Sequence, residues 1–302
     1  YNIYFSNIVA TELISHLIDD NDLEQRECLK ALKCLYNHTT KEIINNKERF
    51  DIVPTFQHIL TRYFFNKQSN TNLLNQSIFL FTKMLSSDSL TNLEKEKFIN
   101  DIIEFKSQER KDLINVLENE FIKNWSKNNK SNWNVLSEKN KSSRKIKKDF
   151  NRKIDENYFH DLIAISFYNL AKLDENSITE KTKDNVLKDY ENSINFIINH
   201  VISKVGVSEN LKKYYSKKWN YFYDMQLILG LDYYNKFSNT KLITNDEDIL
   251  LQINKNNQKL GLNKEDYLKE LNLWKMKNKF YTYIQNLQDQ ICKGLEDIDG
   301  GT

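Results

Sequence analysis

No glycine precedes Gly206, and Pro54 is the only proline in 302 residues. Tight turns between strands need residues that tolerate φ > 0, mostly glycine, with asparagine a weaker substitute. A chain with six glycines and one proline, rich in Leu, Ile, Lys, Glu and Asn, therefore reads as all-α. The same scarcity excludes chemistry. Loops that wrap phosphates with backbone N–H groups need glycines, as does the sharp turn beneath a nucleophilic serine, and residues 1–205 offer none.

Charge and cysteine usage narrow the setting. With 44 basic and 42 acidic residues the formal charge is +2, so no global pull toward nucleic acid or membrane follows. Cys28, Cys34 and Cys292, an odd and scattered set, fit a reducing compartment. Six residues apart on a helix, Cys28 and Cys34 point away from one another, and both are expected to be small buried apolar side chains. No apolar run approaches the roughly eighteen residues of a membrane span, and no signal-peptide pattern opens the chain. With Tyr1 standing where a Met would be, the expectation is a domain of a larger cytoplasmic or nuclear protein.

Apolar periodicity then places helices. Residues 7–18 carry one, and residues 23–35 another, with Cys28, Leu29, Leu32, Leu35 and Tyr36 on one stripe. A short helix is expected over Lys41 to Asn46. Pro54 suits the first turn of the next helix, capped by Asp51 and carrying Ile59, Leu60, Tyr63 and Phe64 inward. Leu73, Leu74, Ile78, Phe81 and Leu85 mark a fifth helix, and Thr91 or Asn92 caps a sixth. Equivalent helices recur at roughly forty to fifty residues, the spacing of helical repeat families.

The run Ala31-Leu32-Lys33-Cys34-Leu35-Tyr36-Asn37, then Lys41-Glu42-Ile43-Ile44, then Ile52-Val53-Pro54 through Ile59-Leu60, resembles an armadillo repeat. The glycine pair usual before the third helix of such a repeat is replaced by Arg49, Phe50 and Asp51. The resemblance implies an all-α solenoid of armadillo or HEAT-like character over residues 1–122, in which each helix pair buries its stripe against neighbours. Residues 154–302 either continue the solenoid or close it as an irregular bundle, with helices expected over 156–173, 180–204, 208–238, 245–257 and 264–294. It also implies a groove lined by the last helix of each unit. Its positions would be Thr55, Gln57, His58, Thr61 and Arg62, then Lys97, Asn100, Asp101 and Glu104. Such a groove holds a protein partner, as an extended peptide or a helix, without catalysis, cofactor or metal.

Residues 123–153 differ. They are basic and poor in apolar residues apart from Trp125, Trp133, Val135 and Leu136, and read as a long loop or partly disordered insertion. Arg144, Lys145, Lys147 and Lys148 form a compact cluster within it. With the tryptophans it is a candidate for nucleic-acid contact, alternatively a transport signal, alternatively a solvated loop. The aromatic-rich stretch from Tyr214 to Tyr234 reads as core. A helical enzyme with a carboxylate or metal site is the remaining alternative, built on Glu156 and His160 of one helix face with Glu118 and Glu120. The acidic run from Asp19 is no EF-hand, because its sixth and twelfth positions are Glu24 and Lys30 rather than glycine and an acid.

Overall fold

Apolar side chains spaced three to four apart make helices of most of the described chain. The structure, a computed structural model, describes residues 3–18, 22–44, 47–50, 52–67, 72–116, 123, 126–127, 141–155, 157–172, 183–202, 220–255 and 259–270. These fall into two compact units, Tyr1–Asn239 and Thr240–Thr302.

The first unit opens with β1 (Phe5–Ser6) and α1 (Asn7–Ser15), where the Ser6 hydroxyl accepts from the Val9 amide and satisfies one of the helix's free N–H groups. After a 3₁₀ turn at His16–Ile18 come α2 (Asp22–His38), β2 (Lys41–Ile44), β3 (Lys47–Phe50), β4 (Ile52–Val53), α3 (Phe56–Phe65), α4 (Asn72–Ser86) and α5 (Asn92–Val116). Helix α1 packs against α2, α4 and α5. Around it lies a core of Phe5, Ile14, Leu32, Phe79, Phe81 and Ile102, each burial worth about 1.5–3 kcal/mol. Two buried asparagines lock the junction: the Asn75 side-chain oxygen accepts from the Asn7 amide at 3.0 Å and from the Thr55 backbone N–H at 3.0 Å.

The unit continues with α6 (Lys141–Asp155), α7 (Tyr158–Lys172), α8 (Lys183–Asp189), α9 (Glu191–Ile197) extended by a π turn at Ile198–Ile202, and α10 (Asn220–Asn235). Helix α3 packs on α7 and α10, so helices on both sides of residues 123–153 share one unit. Edge-to-face rings join them, Phe56 to Phe167 at 5.6 Å and Tyr63 to Tyr190 at 4.9 Å between centroids. Helix α10 is buried on nearly all sides, as its aromatic sequence predicts for a core helix. Glycine inside it has a reason. A Cβ on Gly230 would stand 2.8 Å from Val53 Cγ1, so its absence lets α10 sit against β4. The Tyr234 hydroxyl completes that contact by donating to the Ile52 carbonyl at 2.7 Å. Strand β4 in turn pairs in parallel with β1. A linear stack of repeats would not bring residues 182 positions apart together in this way.

Two sequence expectations are corrected here. The short helix expected over Lys41 to Asn46 is the antiparallel hairpin β2–β3, with Lys41 opposite Phe50 and Ile44 opposite Lys47. Its first strand ends on β-branched Ile43 and Ile44, which favour an extended backbone. The basic segment expected to be a loop contains α6, because Phe150 is buried against Phe159 of α7, with ring centroids 5.0 Å apart. Pro54 lies just before α3, whose N-cap is Thr55; Asp51 lies outside the described residues.

In the second unit β5 (Leu242–Ile243) pairs in parallel with β6 (Gly261–Leu262). Between them runs α11 (Glu247–Ile253), and α12 (Lys264–Glu270) follows. Asp246 caps α11 by accepting from the Ile249 amide at 2.9 Å. The Asn254 side chain holds the return: it accepts from the Gly261 N–H at 2.9 Å and donates to the Gly261 carbonyl at 3.1 Å.

Candidate functional site

An open groove of about 380 Å³ lies in the first unit between the 3₁₀ turn, α2, the end of α4 and the start of α5. Its apolar lining is Leu17, Ile18, Leu29, Leu85 and Ile99, and Arg26, Asp88, Lys95 and Glu96 bring charge of both signs to it. Local sequence chemistry sets these walls. Asp88 takes a left-handed backbone, φ 50°, at the end of α4, where the Ser89 amide donates to the Met84 carbonyl. Lys33 of α2 reaches Asp88 at 3.3 Å and ties α2 to that turn. Helix α5 then starts on a capping box. The Thr91 hydroxyl accepts from the Glu94 amide at 3.3 Å, while the Glu94 carboxylate accepts from the Thr91 amide at 2.9 Å and from its hydroxyl at 2.7 Å. The hydroxyl bond first, and the amide bond second, hold the Glu94 carboxyl below its ordinary range.

The expected groove residues divide by helix. On α5, Lys97, Asn100, Asp101 and Glu104 are exposed along one face, continuing from Leu93, which is 77% exposed. On α3 the expectation fails for Thr55, His58 and Thr61, which are buried. The Thr61 hydroxyl donates to the Ala171 carbonyl of α7 at 3.4 Å. Burial, and then the Arg62 charge, lower the His58 pKa, so it is a neutral interior group. The reason is that Phe56, Ile59, Leu60, Tyr63, Phe64 and Phe65 leave α3 no polar face wide enough to stay in water. Gln57 is half-buried and Arg62 exposed.

On α6, Arg144, Lys145 and Lys148 are exposed and Lys147 half-buried. Trp125 and Trp133 lie outside the described residues, as do Glu118, Glu120 and Glu156. His160 is half-buried, with Nε2 at 2.9 Å from the Asn195 side-chain oxygen. Among the described residues no three His, Cys, Asp or Glu side chains are placed to hold a metal ion. Cys34, expected to be buried, is exposed, and Cys28 is half-buried.

The interior also holds polar clusters that periodicity did not reveal. Lys236, just past α10, lies 2.9 Å from Asp189 and over the rings of Tyr63 and Tyr190, 3.9 and 4.2 Å from their centroids. The Tyr63 hydroxyl donates to the same carboxylate at 2.9 Å, and burial together with that bond raises its pKa. One ammonium thus clamps α3 and α8 to the end of α10. Beside it, burial pushes Asp232 up to about 6, although Asn192 and the Ser193 hydroxyl and amide all donate to its carboxylate. On α5, burial pushes Glu109 up to about 7 against the pull of Gln226 and Lys106. Lys106 itself donates to Glu12 at 2.8 Å and to Ser15 at 2.7 Å. Most of these groups bond one another, which is the chemistry of a clamp rather than of an open site, though the Tyr190 hydroxyl has no hydrogen-bond partner among the described residues. The acid and lysine inside "LGLDYYNKF" were the available signal. No family model matches the chain, and neither do curated proteins or solved structures.

Proposed function

We propose that the first unit is a protein-binding helical scaffold, and that the groove between α2 and α5 takes an apolar anchor residue from a partner's helix or extended peptide. The observation that carries this is a 380 Å³ groove combining apolar lining with charged residues of both signs. Apolar surface supplies the affinity, and the flanking charges select register. The exposed face of α5 extends the surface through Lys97, Asn100, Asp101 and Glu104. The scaffold works without catalysis, in the cytoplasm or nucleus. Among the described residues no helix is long and apolar enough to cross a membrane.

The test uses a partner recovered by affinity purification and then purified itself. Ile18→Glu places a charge at the groove on a residue already 46% exposed. It is expected to weaken that partner's binding at least tenfold. Ile165→Glu, on α7 and 43% exposed, is expected to leave binding unchanged. Equal effects of the two variants, or no effect of Ile18→Glu, reject the groove as the site.

A further inference from the structure

Helix α6 carries the largest net charge of any element of the described chain, with seven basic residues against two acidic ones in fifteen. Two of the basic residues are already engaged. Arg152 bonds Asp149 at 2.7 Å, and Lys153 lies 3.8 Å from the same carboxylate and 5.4 Å from the Tyr158 ring centroid. Arg144, Lys145, Lys147 and Lys148 make no ion pair among the described residues. Apolar Phe150 of the same helix is buried against Phe159, and Ile146 is half-buried. Among the described side chains of α6 the outward side is therefore cationic, with no large apolar side chain to insert into a bilayer.

We infer that this face of α6 binds the phosphate backbone of nucleic acid without reading base sequence. The cluster spans five positions, about 6 Å of helix rise. Each strand of a duplex presents one phosphate per roughly 3.4 Å, so the cations along that length neutralise about two phosphates. A bilayer is the poorer match, since interfacial helices bind by burying an apolar face that α6 has already spent on α7. Because the helix is packed in place through Phe150, the cations are held together before binding, which reduces the ordering loss that long side chains on a free loop incur. The surface is separate from the α2–α5 groove and does not depend on it.

The test is fluorescence anisotropy with the full chain and a labelled twenty-base-pair duplex of mixed sequence. Neutralising about two phosphates gives a slope of log K against log salt of about −1.8. Affinity should then fall roughly tenfold from 50 to 200 mM salt. The triple variant Arg144→Gln, Lys145→Gln, Lys148→Gln is expected to bind at least tenfold more weakly at 50 mM, with a slope shallower than about −1, and to keep its thermal midpoint. A second triple variant, Lys30→Gln, Lys111→Gln, Lys188→Gln, removes the same charge from exposed positions on α2, α5 and α8 and is expected to bind as the original chain does. The inference is overturned if the duplex does not bind at 50 mM salt, if the α6 variant keeps its slope, or if both triple variants lose equally. Binding to phosphatidylserine vesicles without binding to the duplex overturns it in favour of a membrane surface.

Discussion

The resemblance to an armadillo repeat gives α3 and α5 equivalent expected places, yet the fold uses them in opposite ways. Eight of the ten residues of α3 are buried, polar His58 and Thr61 among them, between α7 and α10. Helix α5 buries Ile99 and Ile102 and leaves Lys97, Asn100, Asp101 and Glu104 in water. Periodicity identifies which side of a helix is apolar. It does not count how many neighbours will surround the helix, and α3 meets two that come from more than a hundred positions further along. The lesson is that an isolated polar residue in an aromatic-rich helix marks an interior hydrogen bond sooner than an outer face.

That contrast can be broken by charge. Thr61→Glu puts a carboxylate where relative exposure is 0%, and is expected to destabilise by about 3–5 kcal/mol in urea denaturation. A small change there would mean that α3 is not the interior helix described. Next in size is Lys236→Met. It removes the ammonium shared by Asp189, Tyr63 and Tyr190 and leaves Asp189 without it, an expected loss of about 2–3 kcal/mol by the same assay.

A third effect separates the two ends of α5. Glu109 and Asp232 have folded-state pKa values raised to about 7 and about 6, above those of the unfolded chain. The folded state therefore binds more protons, so stability is full below about pH 4 for these two groups and declines as pH rises to about 7. Glu109→Gln is expected to flatten that decline, by on the order of 2 kcal/mol between pH 4.5 and 7.5, in urea midpoints measured across the range. An unchanged slope would place the Glu109 carboxyl in water. Thr91→Ala, at the other end of the helix, removes the capping box and is expected to cost about 1 kcal/mol. Smallest of all, Asp101→Arg on the exposed face is expected to shift stability by less than about 0.5 kcal/mol.

Much of the helical content was legible because its signals are local. Thr91 is one of the two expected caps of α5, and the structure builds a capping box there with Glu94, three residues on. The hairpin at Lys41–Phe50 was not legible, since an apolar pair such as Ile43-Ile44 fits one turn of helix as well as a strand. Helix α6 was hidden by its own charge. Ile146, Phe150 and Ile154 recur every four residues, but three apolar positions among seven bases looked like a solvated segment. The groove lay beyond sequence reasoning for a different reason. Leu17, Leu29, Leu85 and Ile99 come from four separate elements and look like ordinary core residues; only their packing shows that they end at an open edge. Nor could spacing reveal that Lys236 would meet Tyr63, because that contact joins α3 to the end of α10.

The most direct test of the contrast is site-specific photo-crosslinking at two positions, Glu96 at the groove and Arg62 on the exposed edge of α3. With benzoylphenylalanine at each site in turn and the purified partner added, the account predicts an efficient crosslink from position 96 and none from position 62. A crosslink from position 62 alone would contradict it and move the binding face to α3.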